Sequence, residues 1–208
     1  MTHTEHFTFN AFQVRCSLMW DSKGYCAIVD PGYSQDAEKD RIVAFIESNK
    51  LKPVCILLTH AHFDHILDID EWVRETGATV IISESEASAL SDPMRNCYKL
   101  FNGSDRGYFG EAVGIKDGDT LTLGDATITF MHTPGHTSGS GIYITEGSAF
   151  VGDTVFAGGG YGRCDLPTGN GVILRDSIRR LLTLPDGTLL YPGHGEPTTV
   201  RQYKLDIK

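Results

Sequence analysis

The chain has 208 residues, 40% of them hydrophobic, and carries a formal net charge of −9. A chain of this length can bury one sizeable core, so we expect a single domain covering residues 1–208. The acidic balance argues against nucleic-acid binding, which requires a basic surface.

The hydrophobic pattern alternates between strand-like and helix-like segments along the chain. Residues 7–30 predict two half-buried strands, and residues 36–49 predict an amphipathic helix with Lys39 on its water-facing side. Another helix is expected over residues 66–76. The second half predicts two hairpins and a final amphipathic helix, at residues 120–131, 142–150 and 173–184. These elements fit an α/β fold in which two mixed β-sheets are covered by outer helices, an αββα sandwich.

The segment 59–65 concentrates four ligand-type side chains directly after a short apolar run. Histidine nitrogen and carboxylate oxygen are donors that divalent metals prefer. His60 and His62 are two residues apart, so on an extended strand end both point to the same side and can reach one metal. Asp64 and His65 follow where the helix begins, and they point towards a second position. Because a catalytic ion must keep one position open for water, two adjacent metals fit four ligands better than one.

Three further ligand-type side chains follow strand-like runs: His136, Asp153 and His194. Each lies among glycines or prolines, which allow sharp turns and close backbone approach. Since open α/β sheets bind ligands at the carboxyl ends of their strands, we expect these residues to meet the first group at one edge. The other histidines fit ordinary surface or core positions: His3, His6 and His132.

The order His-x-His-x-Asp-His, then His, Asp and His, resembles the metallo-β-lactamase superfamily. Asp30-Pro31-Gly32, after a strand-like run, resembles the early strand-and-turn motif of that superfamily. More narrowly, five segments resemble the single-domain, glyoxalase II-like (hydroxyacylglutathione hydrolase-like) metallohydrolases: 59–65, 133–137, 152–156, 162–167 and 192–195. The resemblance covers about residues 8–200 and implies the metallo-β-lactamase fold.

The resemblance also implies a ligand set for two divalent metal ions. The first ion would be held by His60, His62 and His136, the second by Asp64, His65 and His194, and both by Asp153. Zinc is the expected metal, and His/Asp sites of this kind also accept iron or manganese. The metals would supply a bound hydroxide that attacks the acyl carbonyl of a thioester or a related small molecule, with Asp64 and Asp153 as catalytic residues.

Three residues are candidate substrate contacts. Relatives often carry a basic residue at the position of Arg163, where it would contact the polar part of a thioester; the alternative is a surface pair with Asp165. The polar, glycine-rich segment 91–119 has no clear period. We expect it to form a rim over the metals, with Tyr108 and Phe109 facing substrate, and a surface excursion or dimer contact is the alternative.

Two other functions remain open. One is a mononuclear iron sulfur (persulfide) dioxygenase, a different enzyme class within the same superfamily that uses only part of this ligand set. The other is a non-enzymatic metal-binding or ligand-sensing module. Nothing in these residues corresponds to the helical domain with which two-domain glyoxalase II binds glutathione, so the resemblance does not extend to that specificity.

The start of the chain shows no basic stretch followed by an apolar run, so no secretion signal is expected. No apolar run reaches the length of a membrane span. The five cysteines are scattered without a Cys-x-x-Cys pair, which favours reduced thiols. We therefore expect a cytoplasmic protein with a small-molecule substrate and no nucleic-acid or membrane partner, and the oligomeric state stays open.

Overall fold

The computed structural model describes residues 2–9, 12–32, 36–67 and 69–207, and in these residues the strands form two six-stranded sheets. The first sheet follows chain order: β1 (His3–Phe9), β2 (Val14–Trp20), β3 (Tyr25–Val29), β4 (Lys52–Leu57), β5 (Thr79–Ser83) and β6 (Ala112–Ile115). The second contains β7 (Thr120–Leu123), β8 (Ala126–His132), β9 (Gly141–Thr145), β10 (Ser148–Gly152), β11 (Leu189–Pro192) and β12 (Thr198–Thr199). The main helices are α1 (Asp36–Ser48), α2 (Phe63–Ile66), α3 (Ile69–Thr76), α4 (Tyr98–Asn102), α5 (Gly171–Leu181) and α6 (Val200–Asp206).

Both sheets are mixed. In the first sheet β1, β2 and β3 pair antiparallel, and β3 to β6 run parallel to one another. The second sheet has the order β12-β11-β10-β9-β8-β7, and its one parallel pair is β10 with β11. The two predicted hairpins are confirmed as β7–β8 and β9–β10.

The buried residues define the layers. One apolar cluster lies between the sheets, where Leu57 of the first sheet shares a core with Phe130 and Phe150 of the second. A second cluster includes Trp72 and joins α1 and α3 to the outer face of the first sheet. A third includes Tyr203 and joins α5 and α6 to the outer face of the second sheet. The predicted αββα sandwich is therefore confirmed.

The strand directions bring five loops to one edge of the sandwich. The parallel strands β3 and β4 end there in the first sheet. In the second sheet β8, β10 and β11 share one direction, because β8 and β10 both pair antiparallel with β9 and β10 pairs parallel with β11. Carboxyl ends of strands that run the same way meet at one edge. All the ligand-type residues named above follow these five strands.

Gly32 shows why the turn after β3 needs a glycine. A Cβ atom at this position would lie 1.7 Å from the backbone oxygen of Asp64 and 2.7 Å from a methyl group of Val14. No other residue type fits that approach without moving the start of α2. The turn after β3 is therefore in direct contact with the segment that carries Asp64.

Three details differ from the sequence prediction. Residues 7–30 form three strands rather than two, and positions 10 and 11 lie outside the described residues. The helix expected over 66–76 is divided into α2 and α3, and Asp68 lies outside the described residues. None of the helices in the described ranges has the length and hydrophobicity needed to cross a bilayer. The five cysteines are free, as their spacing predicts.

Lys39 is the third difference, because it is buried instead of facing water. Its ammonium group lies 2.9 Å from a carboxylate oxygen of Glu71 and 2.5 Å from one of Glu75. Both glutamates belong to α3, so the lysine connects α1 to α3. Its ammonium also lies 5.7 Å from the centre of the Trp72 ring. A helix pattern read alone cannot show that a second helix places two carboxylates opposite this position.

Substituting Lys39→Met should lower the free energy of unfolding by about 1–2 kcal/mol, since a buried charge-assisted contact is lost while the aliphatic stem is kept. The matched control is Lys116→Met, whose exposed ammonium lies 3.6 Å from Glu84. That change should cost less than about 0.5 kcal/mol, because exposed ion pairs contribute little. Urea denaturation measures both. Equal effects for the two variants would contradict the role of Lys39.

Candidate metal centre

The loops after β4 and β8 bring three imidazoles together. Nε2 of His136 lies 3.2 Å from Nε2 of His60 and 2.9 Å from Nδ1 of His62. All three side chains are buried, with exposures between 1 and 4%. We call His60, His62 and His136 the first cluster.

Asp64, His65 and His194 form a second cluster beside the first. The first two lie on α2, and His194 follows β11. Nε2 of His65 is 3.3 Å from Nε2 of His194, and the Asp64 carboxylate lies 3.4 Å from that same His194 nitrogen. Each residue offers one donor atom, and the three atoms lie within 4.8 Å of one another.

The Asp153 carboxylate lies between the clusters. Its Oδ2 atom is 3.6 Å from Nε2 of His136 and 3.4 Å from Nε2 of His194. Its Oδ1 atom is 3.5 Å from Nε2 of His65. The structure therefore brings together all seven residues that the sequence predicts as metal ligands, and it places Asp153 where one carboxylate can reach both clusters.

Backbone acceptors fix the protonation of two rings. Nδ1 of His136 donates to the carbonyl of Arg163 at 2.7 Å, and Nδ1 of His194 donates to the carbonyl of Phe12 at 2.7 Å. A carbonyl oxygen can only accept, so each Nδ1 carries the hydrogen. In the neutral rings the lone pair is therefore on Nε2, the atom that faces the clusters.

Asp30 fixes two more rings, His65 directly and His60 through Thr59. Its carboxylate accepts from the Thr59 hydroxyl at 2.6 Å and from Nδ1 of His65 at 3.1 Å. Because the only hydroxyl hydrogen of Thr59 is used on Asp30, its oxygen must accept from Nδ1 of His60 at 3.1 Å. Nε2 of His60 is then the free donor atom. Asp30, from the turn after β3, thus orients one ring of each cluster.

The electrostatics of the two clusters differ. Burial lowers the pKa of His60, His62 and His136, so these imidazoles are neutral. Burial also acts to lower the pKa of His65, but the charges of Asp64 and Asp30 outweigh it and raise that pKa to about 10. Without a metal, the second cluster therefore holds a proton on His65. A cation that binds there must displace it.

The donor set fits two divalent cations. The imidazole nitrogens of the first cluster face one another at hydrogen-bond distance, although His60 and His136 present lone pairs there. Within the described part of the chain, the buried Oδ1 atom of Asp153 has no hydrogen-bond partner. Buried carboxylate oxygens without donors are costly unless a cation compensates them. Histidine and aspartate suit zinc, iron and manganese alike.

Residues 9–194 match the family model of the metallo-beta-lactamase superfamily. The chain belongs to that superfamily. Hydroxyacylglutathione hydrolase GloC of Haemophilus influenzae is 33% identical over 198 residues, covering 93% of this chain and 91% of that protein. The probable metallo-hydrolase YqgX of Bacillus subtilis is 37% identical over 189 residues, covering 86% and 84%.

Solved structures agree with this membership. The BLEG-1 B3 metallo-beta-lactamase superposes with a TM-score of 0.87 at 30% identity, covering 96% of this chain and 95% of that one. TTHA1623 in a di-iron-bound form gives 0.83 at 26% identity, covering 96% of each chain. ETHE1 from Myxococcus xanthus gives 0.80 at 26% identity, covering 99% and 83%.

In this superfamily member a cavity of about 190 Å³ opens onto the two clusters. Its walls include Phe63, the first residue of α2, and Leu166, three residues after Arg163. Five wall residues were not predicted from the sequence as site residues: Phe12, Phe63, Cys97, Phe101 and Leu166. Apolar and thiol side chains occur in many contexts, so no sequence pattern distinguishes these five as walls of a cavity.

The predicted substrate contacts have mixed outcomes. Arg163 lines the cavity, and its guanidinium also forms two 2.8 Å hydrogen bonds with the Asp165 carboxylate. Tyr108 and Phe109 do not reach the cavity, so the structure contradicts their predicted placement. Tyr108 is buried at a separate cavity between α3 and β6, where its hydroxyl donates to the carbonyl of Glu111. Phe109 is 73% exposed. The segment 91–119 contributes Cys97 and Phe101 instead.

Substituting Asp153→Ala should reduce bound metal from about two ions to one or fewer per chain, because it removes the one carboxylate among the described residues that lies between both clusters. Elemental analysis of protein purified without chelator measures this. The control is Asp165→Ala, which removes an exposed carboxylate near the cavity and should leave the metal content unchanged. Full metal content in Asp153→Ala would contradict a bridging role.

Proposed function

We propose that this protein is a dinuclear metal-dependent hydrolase that acts on the carbonyl of a thioester or a related small acyl compound. The observation that carries the proposal is the pair of clusters joined by Asp153 at one end of a cavity with largely apolar walls. Similarity to a hydroxyacylglutathione hydrolase and to a probable metallo-hydrolase supports the reaction class. The metals would be two divalent ions, zinc first, with iron or manganese as alternatives.

When bound, such ions would make a water molecule nucleophilic near neutral pH and stabilise negative charge on the carbonyl oxygen. Asp64 lines the cavity, and its Oδ2 atom faces His194. Since a carboxylate has two acceptor oxygens, its Oδ1 atom can orient the attacking water and accept its proton. Asp153 holds the two clusters in a fixed relation. Asp64 and Asp153 are therefore the proposed catalytic residues.

The cavity walls suit a small acyl group. A volume of about 190 Å³ is below the range typical of pockets that enclose drug-sized ligands, roughly 300–1,000 Å³. Phe12, Phe63 and Leu166 would exclude bulk water around the acyl carbon. The remainder of a larger thioester would extend past Arg163 into solvent. Glutathione thioesters are one candidate among several of this form.

Arg163 is the proposed contact for an anionic group of the substrate. Its side chain is 53% exposed and that of Asp165 is 68% exposed. An exposed pair of this kind contributes little free energy, so a substrate carboxylate can replace Asp165 at low cost. The planar guanidinium then offers two parallel donors to the substrate.

The second candidate is a mononuclear iron persulfide dioxygenase. Structural similarity to ETHE1 from Myxococcus xanthus is the observation that favours it. The complete second cluster argues against it, since a single ion does not require Asp64, His65 and His194 in addition to the first cluster.

The decisive test pairs metal content with turnover of S-lactoylglutathione and of a short acyl thioester. Two ions per chain with hydrolysis are expected. One iron per chain, no hydrolysis and oxygen uptake with a persulfide would overturn the proposal in favour of the dioxygenase. Full metal loading without turnover across a panel of acyl substrates would favour a binding or sensing module.

Substituting Arg163→Ala should raise KM for an anionic thioester by roughly 3- to 10-fold with kcat nearly unchanged, because a positioning contact outside the reacting atoms is lost. An uncharged thioester should show little change. The control is Arg179→Ala, an exposed arginine paired with Asp176 on α5. A loss confined to kcat would contradict this role for Arg163.

A further inference from the structure

Glu86 is a buried carboxylate that belongs to neither cluster. It is 1% exposed and precedes a short 3₁₀ turn after β5. Its Oε1 atom accepts from the backbone N–H of Ala61 at 3.3 Å, and its Oε2 atom accepts from the backbone N–H of Gly139 at 2.9 Å. The Thr137 hydroxyl, which is 2.7 Å from the Ser140 hydroxyl, also interacts with this carboxylate and acts to lower the pKa of Glu86 against the effect of burial.

These contacts join the two loops that supply the first cluster. Ala61 lies between His60 and His62, and Thr137 follows His136 directly. The loops approach closely at Glu86, because a Cβ atom on Gly139 would lie 2.5 Å from the Cβ atom of the glutamate. One carboxylate therefore sets the distance between the segments that carry all three imidazoles.

Arg15 is a buried residue that holds one loop of the second cluster. It is 8% exposed on β2, and its Nε atom donates to the carbonyl of Pro192 at 3.1 Å. Its Nη2 atom donates to the carbonyl of Gly195, and its backbone N–H donates to that of Gly193 at 2.7 Å. His194 lies between these acceptors in sequence. The arginine therefore holds the loop that presents His194.

We propose that Glu86 and Arg15 are positioning residues for metal binding, each acting on one cluster. Glu86 would preorganise the first cluster, and Arg15 the His194 side of the second. The inference rests on the metal centre of the proposed function, but it does not depend on the reaction. Partners that orient metal ligands typically change metal affinity by about 10- to 100-fold.

The test is a titration of metal-free, ¹⁵N-histidine-labelled protein with ¹¹³Cd²⁺, followed by cadmium NMR. Couplings between cadmium and imidazole nitrogen assign each resonance to a cluster without further substitution. Glu86→Gln keeps the side-chain shape but turns an amide NH₂ towards one of the two backbone donors. Arg15→Lys keeps the charge but loses the fork that reaches two carbonyls.

We expect Glu86→Gln to require about 10- to 100-fold more cadmium to fill the resonance coupled to His60, His62 and His136, with the other resonance unchanged. Arg15→Lys should instead require more cadmium to fill the resonance of the second cluster, with that of the first cluster unchanged. Each variant is therefore the control for the other. If Glu86→Gln fails to fold, Thr137→Val removes the hydroxyl that interacts with Glu86 and should give a smaller shift of the resonance of the first cluster.

Equal weakening of both resonances, or a lower melting temperature of the metal-free protein without selective weakening, would overturn the proposal. Those outcomes would assign the two residues to general stability. Absence of any cadmium resonance in the parent protein would instead overturn the metal centre itself. Hydrolysis is not part of the readout, so a failure of the proposed reaction leaves this result interpretable.

Discussion

The convergence of electron-pair donors is the constraint on which the rest of this structure depends. His136, His60 and His62 direct ring nitrogens at one another within 2.9–3.2 Å. Nδ1 of His62 can donate to Nε2 of His136, but His60 and His136 face each other with lone pairs, and a cation between the rings would make that arrangement favourable. The geometry must therefore be built by contacts outside the cluster. The carbonyl of Arg163 holds the far side of the His136 ring, and Asp30 holds that of His60 through Thr59. In the second cluster Asp30 holds His65 directly, and the carbonyl of Phe12 holds His194.

The sandwich also positions the ligand residues, because five of its strands end at one edge. Asp153 and His194 follow the parallel neighbours β10 and β11, so their spacing is set by the sheet. Gly193 allows the loop after β11 to approach the other ligand residues closely. A Cβ atom at this position would lie 2.4 Å from Oδ1 of Asp153 and 2.6 Å from a ring carbon of His65. At Gly193 the loop after β11 thus approaches Asp153 and His65 more closely than any side chain at that position would allow.

The ligand set and the layer order were predictable from sequence, whereas most of the surroundings were not. Few residue types bind divalent metals, so their clustering after apolar runs is informative. Lys39, Glu86 and Arg15 gave no such signal. Lys39 depends on carboxylates that another helix brings opposite it, and the other two act on backbone atoms, which are the same for every residue type. The prediction that Tyr108 faces the substrate was wrong for a related reason. An aromatic residue in a glycine-rich segment can be buried against a neighbouring helix as well as placed over a binding site.

The centre and the cavity wall depend on different parts of the fold. Strand ends and α2 hold the seven clustered residues, and hydrogen bonds on their far sides fix the rings of His60, His65, His136 and His194. The wall is formed largely by segments between elements, such as those with Phe12 and Arg163, and by Phe101 near the end of α4. Changes in loops alter a binding surface at little cost to the core. The chemistry that the clusters can perform is therefore set by the sheets, while the choice of molecule that reaches them is set by side chains that the sheets do not constrain.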